Sequence, residues 1–365
     1  GGPGAIFWMW IIAFFGMATI YAEAVLAQKT RIRDKDGQIL GGPVYYIRAA
    51  FDGGFGRFLA GFFAFALLLA LGFFGSMVQS NSIGQAFSNA FGIPSWLVGM
   101  ALVVLAGVVV LGGTQRLASV TEKLVPAMAV LYLLGGFAVL AARWRFLPEA
   151  FGMIFRYAFQ PNAILGGSVG AAVKAAVSQG VKRGLFANEA GMGSTPHAHA
   201  LAQVKRPHQQ GCVAMVGIFI GTFCIVTVTA LVMIVTLYAG QGILSAPGAG
   251  LRAEVYGLSP SNLAQAAFGT VLGERLGTAF IAIALFFFAF STILSWNLFG
   301  KLNARYLFGQ KGELPYTLVS LAFLFAGTVT EPSLVWGLAD LFNQLMVLPN
   351  VIGLLGCSRL LWEKK

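Results

Sequence analysis

The residues best suited to chemistry lie in one glycine-rich stretch, residues 180–196. Its glycines and its proline interrupt a helix, and polar side chains stand beside the interruption at Asn188, Glu189, Ser194 and Thr195. A helix broken in this way exposes backbone carbonyls, which bind cations, and a helix N-terminus, which binds carboxylates. The stretch therefore predicts a site for a zwitterion. The alternative is an interfacial loop that Asn and Ser side chains cap.

Three hydroxyls in one apolar segment form a second polar group: Ser291, Thr292 and Ser295. The spacings of three and four residues place all three side chains on one face of a helix. Na⁺ is a hard cation and, like calcium and magnesium, takes oxygen ligands. Serines in spans also bond to their own helix or pack between helices. The pattern thus predicts either a cation-binding face or a structural one.

Gln79 is an uncharged amide in the middle of an apolar segment. Its two donors and one acceptor are suited to recognising a small polar solute. The same amide can instead tie two helices together inside a membrane.

Two acidic residues also fall inside apolar segments, Glu23 and Asp340. A carboxylate at the centre of a spanning helix costs about 2.5–3.5 kcal/mol on insertion scales, so each is a functional candidate. Asp340 shares a helix face with Asn343 and Gln344, three and four residues later. A proton relay and a structural polar network both fit these residues.

Metal and enzyme sites are disfavoured by the spacing of the remaining reactive side chains. His197 and His199 are two residues apart and point in nearly opposite directions on a helix, so they do not share a metal with Glu189. The three cysteines have no metal-type spacing. A nucleophile and a base at workable spacing are also missing from the pattern, which predicts neither an enzyme nor a cofactor.

The composition indicates whether these residues lie in an aqueous protein or in a membrane protein. Of the 365 residues 58% are hydrophobic and 10% are charged, whereas a soluble domain carries about 25% charged residues. The net charge of +11 would suggest a nucleic-acid partner in a soluble protein. Here the basic residues lie in short stretches between apolar runs, which is the pattern of loops at a membrane surface. The chain is predicted to be an all-α integral protein of the cell membrane, without a nucleic-acid partner.

Nine apolar runs are long enough to span a bilayer, and none alternates with the period of two that a β-barrel requires. They cover residues 6–28, 58–87, 96–111, 117–142, 163–181, 213–239, 279–300, 315–329 and 334–361.

The distribution of basic residues predicts the orientation. Of the 24 Lys and Arg residues, 18 fall in the connections on the side of the C-terminus and 5 in the alternate connections, with Lys174 inside a span. Lys182 and Arg183 are counted in the larger group. The positive-inside rule then places the C-terminus in the cytoplasm and Gly1 outside.

The order of the spans suggests two inverted repeats within one transmembrane domain. The second and seventh spans both carry small and polar stripes, and they lie five spans apart, which forces opposite orientations. Pairing spans one to four with spans six to nine leaves the fifth span without a partner. We therefore expect a first repeat at residues 1–162 that lacks its first helix, a second repeat at residues 163–365, and missing N-terminal sequence. The chain also begins Gly-Gly-Pro-Gly, with no initiator methionine.

Six short stretches, spread over nearly the whole chain, resemble the alanine or glycine:cation symporter family, also called the sodium:alanine symporter family. They are GGPGAIFWMW at residues 1–10, GGPVYYI at 41–47, MVQSNS at 77–82, GLFANEAGMGS at 184–194, FAFSTI at 288–293 and WGLAD at 336–340.

The resemblance implies a fold and an activity. The fold is that of the leucine transporter, with ten core helices in two inverted five-helix repeats whose first and sixth core helices are broken. The activity is uptake of small neutral amino acids, chiefly alanine and glycine, by alternating access, with Na⁺ as the co-substrate and no cofactor. On this mapping the nine spans are core helices two to ten, and the helices that precede them are missing.

The resemblance also implies site residues. Gln79 lies where the third core helix faces the substrate, and Ser291 and Thr292, with Ser295 on the same face, lie where the eighth supplies oxygens to sodium. The break in the sixth core helix falls either at residues 173–180 or at residues 186–193; the second choice brings Lys182 and Arg183 near the site. We prefer the second, which adds the substrate-binding candidates Phe186, Asn188, Gly191, Met192 and Gly193.

Other functions fit the same hydropathy. A proton-coupled transporter would use Glu23 or Asp340, and a passive channel or a sensor would need no coupling residue. The sequence makes no prediction of oligomeric state.

Overall fold

A computed structural model describes residues 2–35, 37–160, 169–245, 255, 257–259 and 262–362. Within these residues the chain is almost entirely helical, apart from one two-stranded hairpin. Among the described residues, seven helical segments are long and apolar enough to cross a membrane: Gly4–Thr30, Gly53–Phe91, Ser119–Ala142, Pro207–Tyr238, Glu274–Phe308, Gln310–Val329 and Pro332–Gly356. The prediction of an all-helical membrane protein is confirmed.

The elements are numbered along the chain. The first part contains α1 Gly4–Thr30, β1 Ile32–Arg33, β2 Ile39–Leu40, α2 Pro43–Ala50, α3 Gly53–Leu67, α4 Ser76–Phe91, α5 Ser95–Leu111, α6 Thr114–Ala142 and α7 Leu147–Phe159. The second part contains α8 Val169–Asn188, α9 Pro196–Leu201, α10 Pro207–Ile218, α11 Thr227–Met233, α12 Leu263–Leu272, α13 Glu274–Phe308, α14 Glu313–Val329, α15 Pro332–Gly356 and α16 Ser358–Trp362.

The seven segments differ from the nine predicted spans at two places. The predicted third span is α5, an apolar helix of 17 residues. The predicted fifth span begins in residues 161–168, which lie outside the described residues, and its remainder belongs to α8, which continues to Asn188. The other predicted spans correspond to long helices whose ends extend into the flanking polar residues.

The predicted second span contains a π-helical segment, Leu68–Gly75, that joins α3 to α4. The hydroxyl of Ser76 donates to the carbonyl of Leu71 at 3.1 Å, and the same carbonyl accepts the backbone N–H of Ser76. The glycines of the segment admit large side chains: a Cβ at Gly72 would lie 2.5 Å from the Tyr316 hydroxyl, and one at Gly75 would lie 2.8 Å from the Trp296 ring. The π segment thus lets α13 and α14 approach closely.

The helices that pack around α1 and those that pack around α4 and α15 are described as two groups. In the first helix group, α1 packs against α7, α8, α9 and α10. In the second helix group, α4 packs against α5, α13 and α14, and α15 packs against α3 and the π segment. Small residues make the contacts close within each group, because a Cβ at Gly4 would overlap the carbonyl of Tyr157 and one at Gly327 would overlap Ser80 and Met77.

The contacts of α8 with α1 show that the two helices run parallel. Gly180 approaches Ala5 and Trp8, and Gly184 approaches Met9 and Ile12. Lys182 and Arg183 therefore lie near the N-terminal end of α1, and counting them in a loop at its C-terminal end was wrong. The count failed because it assumed that α8 ends at Val181, whereas these two residues are part of the helix. Assigning Lys182 and Arg183 to the other side of the membrane reduces the excess of basic residues on the side of the C-terminus. It does not reverse that excess.

The hairpin after α1 is held by Arg305, near the end of α13, whose side chain is only 8% exposed. Its guanidinium donates to Gln38 at 2.7 Å and to Glu313 at 3.2 Å, and it also pairs with Asp34. The backbone N–H of Lys35 and the Arg305 guanidinium lower the pKa of the Asp34 carboxyl. The connection after α1 is thereby tied to the C-terminal end of α13.

Candidate functional site

The site is built around a stretch without helical structure, residues 189–195, that separates α8 from α9; we call it the non-helical segment. Three of its residues have left-handed backbone, with φ of 55° at Glu189, 82° at Gly191 and 79° at Gly193. Two glycines meet this requirement without steric cost, which explains why the helix ends here. Residues 173–180 are continuous helix, so the interruption lies at the glycine-rich signature.

The non-helical segment lies beside the middle and the C-terminal half of α1. A Cβ at Gly16 would contact Ala190 and Asn188, and one at Gly191 would contact Thr19. The interruption therefore lies beside the interior of a 27-residue helix that is long and apolar enough to cross a membrane, and away from both of its ends.

Glu23 of α1 joins the non-helical segment directly. Its Oε2 accepts the N–H of Gly191 at 3.1 Å, and its Oε1 accepts the N–H of Gly193 at 3.0 Å. The amide of Asn350, in α15, donates to the same Oε1 at 2.7 Å. The carboxylate is fully buried, and these three donors replace the water that it would otherwise bind.

Asn350 extends this network to other elements. Its Nδ2 also donates to the carbonyl of Gly191 at 2.8 Å, and its Oδ1 accepts the hydroxyl of Tyr46 from α2. Both Asn350 and Tyr46 are fully buried. One network thus connects α1, α2, α15 and the non-helical segment.

Glu189 makes a second link between the helix groups. Its Oε1 accepts the indole N–H of Trp296, in α13, at 2.8 Å, and its Oε2 is hydrogen-bonded to the Ser194 hydroxyl. Within the described residues, no ion pair involves Glu189 or Glu23. Both carboxylates are held by hydrogen-bond donors alone.

An aromatic cluster stands beside this link. The ring of Phe186 lies 5.8 Å from that of Trp296 in an edge-on arrangement and 5.6 Å from that of Trp336. The Arg183 guanidinium lies 4.3 Å from the centre of the Trp336 ring and pairs with Asp340 at 3.3 Å. Asp340 is therefore part of an ion pair at the edge of the cluster.

A cavity of about 70 Å³ separates α8 from α15. Its walls include predicted site residues as well as charged and amide side chains: Lys182, Leu185, Phe186, Met192, Asp340, Asn343, Gln344 and Val347. Lys182 thus lies in the wall of the same cavity as Phe186 and Met192.

The other predicted substrate residues occupy different settings. Asn188 is 8% exposed; its Oδ1 accepts the N–H of Ala190 at 3.1 Å, and its Nδ2 has no partner among the described residues. Met192 is 2% exposed and packs in the core. Gln79 is half-buried. The N–H groups of Gly191 and Gly193 point to Glu23, so these glycines shape the segment.

The three predicted cation-binding hydroxyls all bond to their own helix. Ser291 and Thr292 donate to the carbonyl of Phe288 at 2.9 and 3.0 Å, and Ser295 donates to the carbonyl of Ser291 at 3.0 Å. These bonds fit the structural alternative that was considered for the three hydroxyls. Each hydroxyl oxygen also has a lone pair that remains available to a cation. The three hydroxyls come just before Trp296 in the sequence of α13, and the indole N–H of Trp296 donates to Glu189.

The two histidines serve separate partners. The ring of His197 lies between Ser194 and Asn303, with 2.8 Å from Nδ1 to the Ser194 carbonyl and 2.8 Å from Nε2 to the Asn303 amide. The ring of His199 is bonded to Gln210 at 2.8 Å. His197 thus adds a second polar link between the non-helical segment and α13, after that of Glu189 with Trp296.

Sequence reasoning missed Trp296, Asn350 and Tyr46. Each is a polar or amphipathic side chain inside or beside an apolar run, which is the signal that singled out Gln79. Asn350 follows Pro349 in the predicted last span. An amide at this depth needs partners, and that argument would have made it a candidate.

Comparison with known proteins identifies the family. The profile of the sodium:alanine symporter family matches residues 1–364. A sodium/alanine symporter of Methanococcus maripaludis is 40% identical over 97% of this chain and 75% of its own length. A putative sodium/proton-dependent alanine carrier protein of Bacillus subtilis is 39% identical over 97% of the chain and 72% of its own length. An uncharacterized transporter of Haemophilus influenzae is 39% identical over the whole chain and 76% of its own length. With a profile match from end to end and an interrupted helix at its glycine-rich signature, this chain belongs to the sodium:alanine symporter family.

Proposed function

We propose that the protein couples the entry of Na⁺ to the uptake of a small neutral amino acid, alanine or glycine, by alternating access. The observation that carries the proposal is the interruption of α8 at a depth inside the membrane span, between an aromatic cluster and two buried acidic side chains. A broken helix at this depth presents polar groups to the charges of a zwitterion, and here the unpartnered amide nitrogen of Asn188 stands at the end of the helix. The relatives that are named for sodium and alanine support this choice.

The proposed substrate site contains Gln79, Phe186, Asn188, Gly191, Met192 and Gly193. Asn188 offers a buried amide without a partner, which a polar solute would satisfy. Phe186 is held against two tryptophans, so the space beside it admits a small side chain. The preference for alanine or glycine follows from this restriction.

We further propose the leucine-transporter fold, with repeats at residues 1–162 and 163–365. The interrupted α8 supports it, because a broken helix at mid-depth is the feature expected of the sixth core helix. A cytoplasmic C-terminus follows from the basic residues that remain in excess at that end after Lys182 and Arg183 are moved.

Reconstituted protein is expected to take up labelled alanine only when Na⁺ is more concentrated outside the vesicles. The full-length protein in proteoliposomes provides the measurement, with K⁺ in place of Na⁺ as the control. Equal uptake without a Na⁺ gradient would contradict sodium coupling, and currents far above carrier turnover would indicate a channel.

Replacing Thr292 with Val is expected to raise the Na⁺ concentration for half-maximal uptake about tenfold. The change removes one oxygen ligand and keeps the shape of the side chain, and a tenfold loss corresponds to about 1.4 kcal/mol. Titration of uptake against Na⁺ measures it. The matched control is Thr317→Val, because Thr317 also donates to its own helix, at 2.8 Å from the Glu313 carbonyl. A similar change in both variants would remove Thr292 from the proposed site.

Proton coupling is a second candidate, favoured by the setting of Glu189. The Ser194 hydroxyl can donate a hydrogen bond to the ionised carboxylate of Glu189 or accept one from its protonated carboxyl group. It can therefore stabilise Glu189 in either protonation state. Asp340 is less suited, because Arg183 stabilises its ionised form. Uptake that is driven by an inward proton gradient without Na⁺ would favour this candidate.

A further inference from the structure

Glu23 has a setting that neither sodium binding nor substrate binding explains. Its carboxylate lies inside a membrane-spanning helix with no exposed surface, and all three of its hydrogen-bond partners belong to other elements. Each of the three partner atoms is an N–H nitrogen, which donates and never accepts. Both oxygens of Glu23 therefore act as hydrogen-bond acceptors here, and none of its three partner atoms can accept a hydrogen bond in return.

The two backbone donors form an anion-binding concavity. Gly191 and Gly193 both have left-handed φ, and their N–H groups converge on one carboxylate from two positions in the chain. Successive N–H groups in alternating conformations form such a nest for an anion. Here the nest is filled by a side chain of the same protein, so Glu23 fixes the path of the backbone around Met192.

Asn350 connects this unit to the second helix group. Its Nδ2 bonds both Glu23 and the Gly191 carbonyl, so the amide of α15 holds the carboxylate and the segment together. A Cβ at Gly193 would lie 2.8 Å from the Asn350 side chain, which shows how closely the segment approaches α15. Movement of the segment together with Glu23 away from α15 would break both bonds of the Asn350 amide.

We propose that Glu23 is a positioning residue for transport: its carboxylate fills the nest at Gly191 and Gly193 and, with Asn350, holds the non-helical segment against the second helix group. This inference rests on the proposed transport function. α1 and the segment then move as one body, and the Asn350 bonds are the contact that breaks when the two helix groups separate. The side chains of Phe186, Asn188 and Met192 are placed for substrate by this attachment.

The test compares Glu23→Gln with Glu149→Gln in the full-length protein. Glutamine keeps the size of Glu23 but turns one acceptor into a donor, which then faces an N–H group. Glu149 is a matched control, because its carboxylate also accepts a glycine N–H, that of Gly240 at 3.2 and 3.3 Å, on the exposed surface. We expect Glu23→Gln to raise the KM for alanine at least about tenfold, and Glu149→Gln to leave it unchanged.

A second measurement follows the segment itself. A cysteine placed at Thr195, in a background without the native Cys212, Cys224 and Cys357, is labelled by a maleimide. We expect labelling to be faster in Glu23→Gln, because the segment leaves α15 more often, and Glu23→Asp, which keeps the charge, to restore a rate nearer that of the wild type.

Three results would overturn the proposal. The first is a Glu23→Gln variant with the KM and labelling rate of the wild type. The second is a variant that melts at a lower temperature while its folded fraction keeps both values, since that describes a structural role alone. The third is loss of proton-driven uptake with unchanged labelling, which describes a proton site. If the wild type shows no sodium-driven uptake, the proposed function fails, and the labelling comparison still tests Glu23.

Discussion

Replacing Gly193 with Ala is expected to destabilise the protein by about 2–5 kcal/mol and to abolish transport. Left-handed backbone costs a residue with a side chain about 1–2 kcal/mol, and an inserted methyl group in a packed site costs about 1–3 kcal/mol more. Both costs apply here, because φ is 79° and the new Cβ would lie 2.7 Å from Phe63 and 2.8 Å from Asn350. The apparent melting temperature in detergent and alanine uptake measure the two effects.

Gly92→Ala is the matched control for this prediction. Gly92 ends α4 with a φ of 67°, and a Cβ there would meet no atom within 4 Å. The control therefore carries the backbone cost without the packing cost and is expected to lower the melting temperature less. An equally large loss in both variants would show that crowding by Phe63 and Asn350 does not matter.

The sequence predicted the long helices well, because hydrophobicity over about 20 residues reports burial in a bilayer directly. It did not predict the shorter elements that shape the site. The hairpin β1–β2, the helix α2 and the helix α9 are held by contacts with distant parts of the chain, such as the bonds from Arg305 to Gln38 and Asp34. Such contacts leave no periodic pattern in the local sequence.

The interruption of α8 was predicted from its glycines and proline, and its place along the chain needed three-dimensional information. Lys182 and Arg183 pointed to a loop, because charged residues are rare inside spans. The structure shows how they are accommodated: Lys182 is exposed, and Arg183 is partly exposed, paired with Asp340 and packed on the ring of Trp336. Partners that are more than 150 residues away in sequence decided the outcome.

Glu23 is a second residue whose role could be predicted only in part from the sequence. Its position inside an apolar run marked it as a functional candidate from the sequence, with a proton relay and a structural network left open. The choice between these depends on whether its partners only donate or can also accept. The partners that decide it are Gly191, Gly193 and Asn350. The sequence around Glu23 gives no indication of which distant residues contact it.

Replacing Trp296 with Phe is expected to weaken the apparent affinity for alanine by about ten- to a hundredfold. The change keeps an aromatic ring beside Phe186 and removes the indole N–H that donates to Glu189 at 2.8 Å. A hydrogen bond to a charged group contributes about 1.5–3 kcal/mol, and each 1.4 kcal/mol is about a tenfold change in affinity. Glu189 follows Asn188 directly, so a displaced carboxylate also displaces the proposed substrate residue. The KM of alanine uptake at saturating Na⁺ measures the effect.

Trp10→Phe separates this effect from the loss of any buried indole bond. The indole N–H of Trp10 donates to the hydroxyl of Thr227 at 2.8 Å, a neutral acceptor in the first part of α11. A neutral bond contributes about 0.5–1.5 kcal/mol, so this variant is expected to melt earlier while its KM stays the same. If both tryptophan variants changed the KM equally, the loss would reflect general packing. A change confined to Trp296→Phe would instead link substrate affinity to the charge at the end of the interrupted helix.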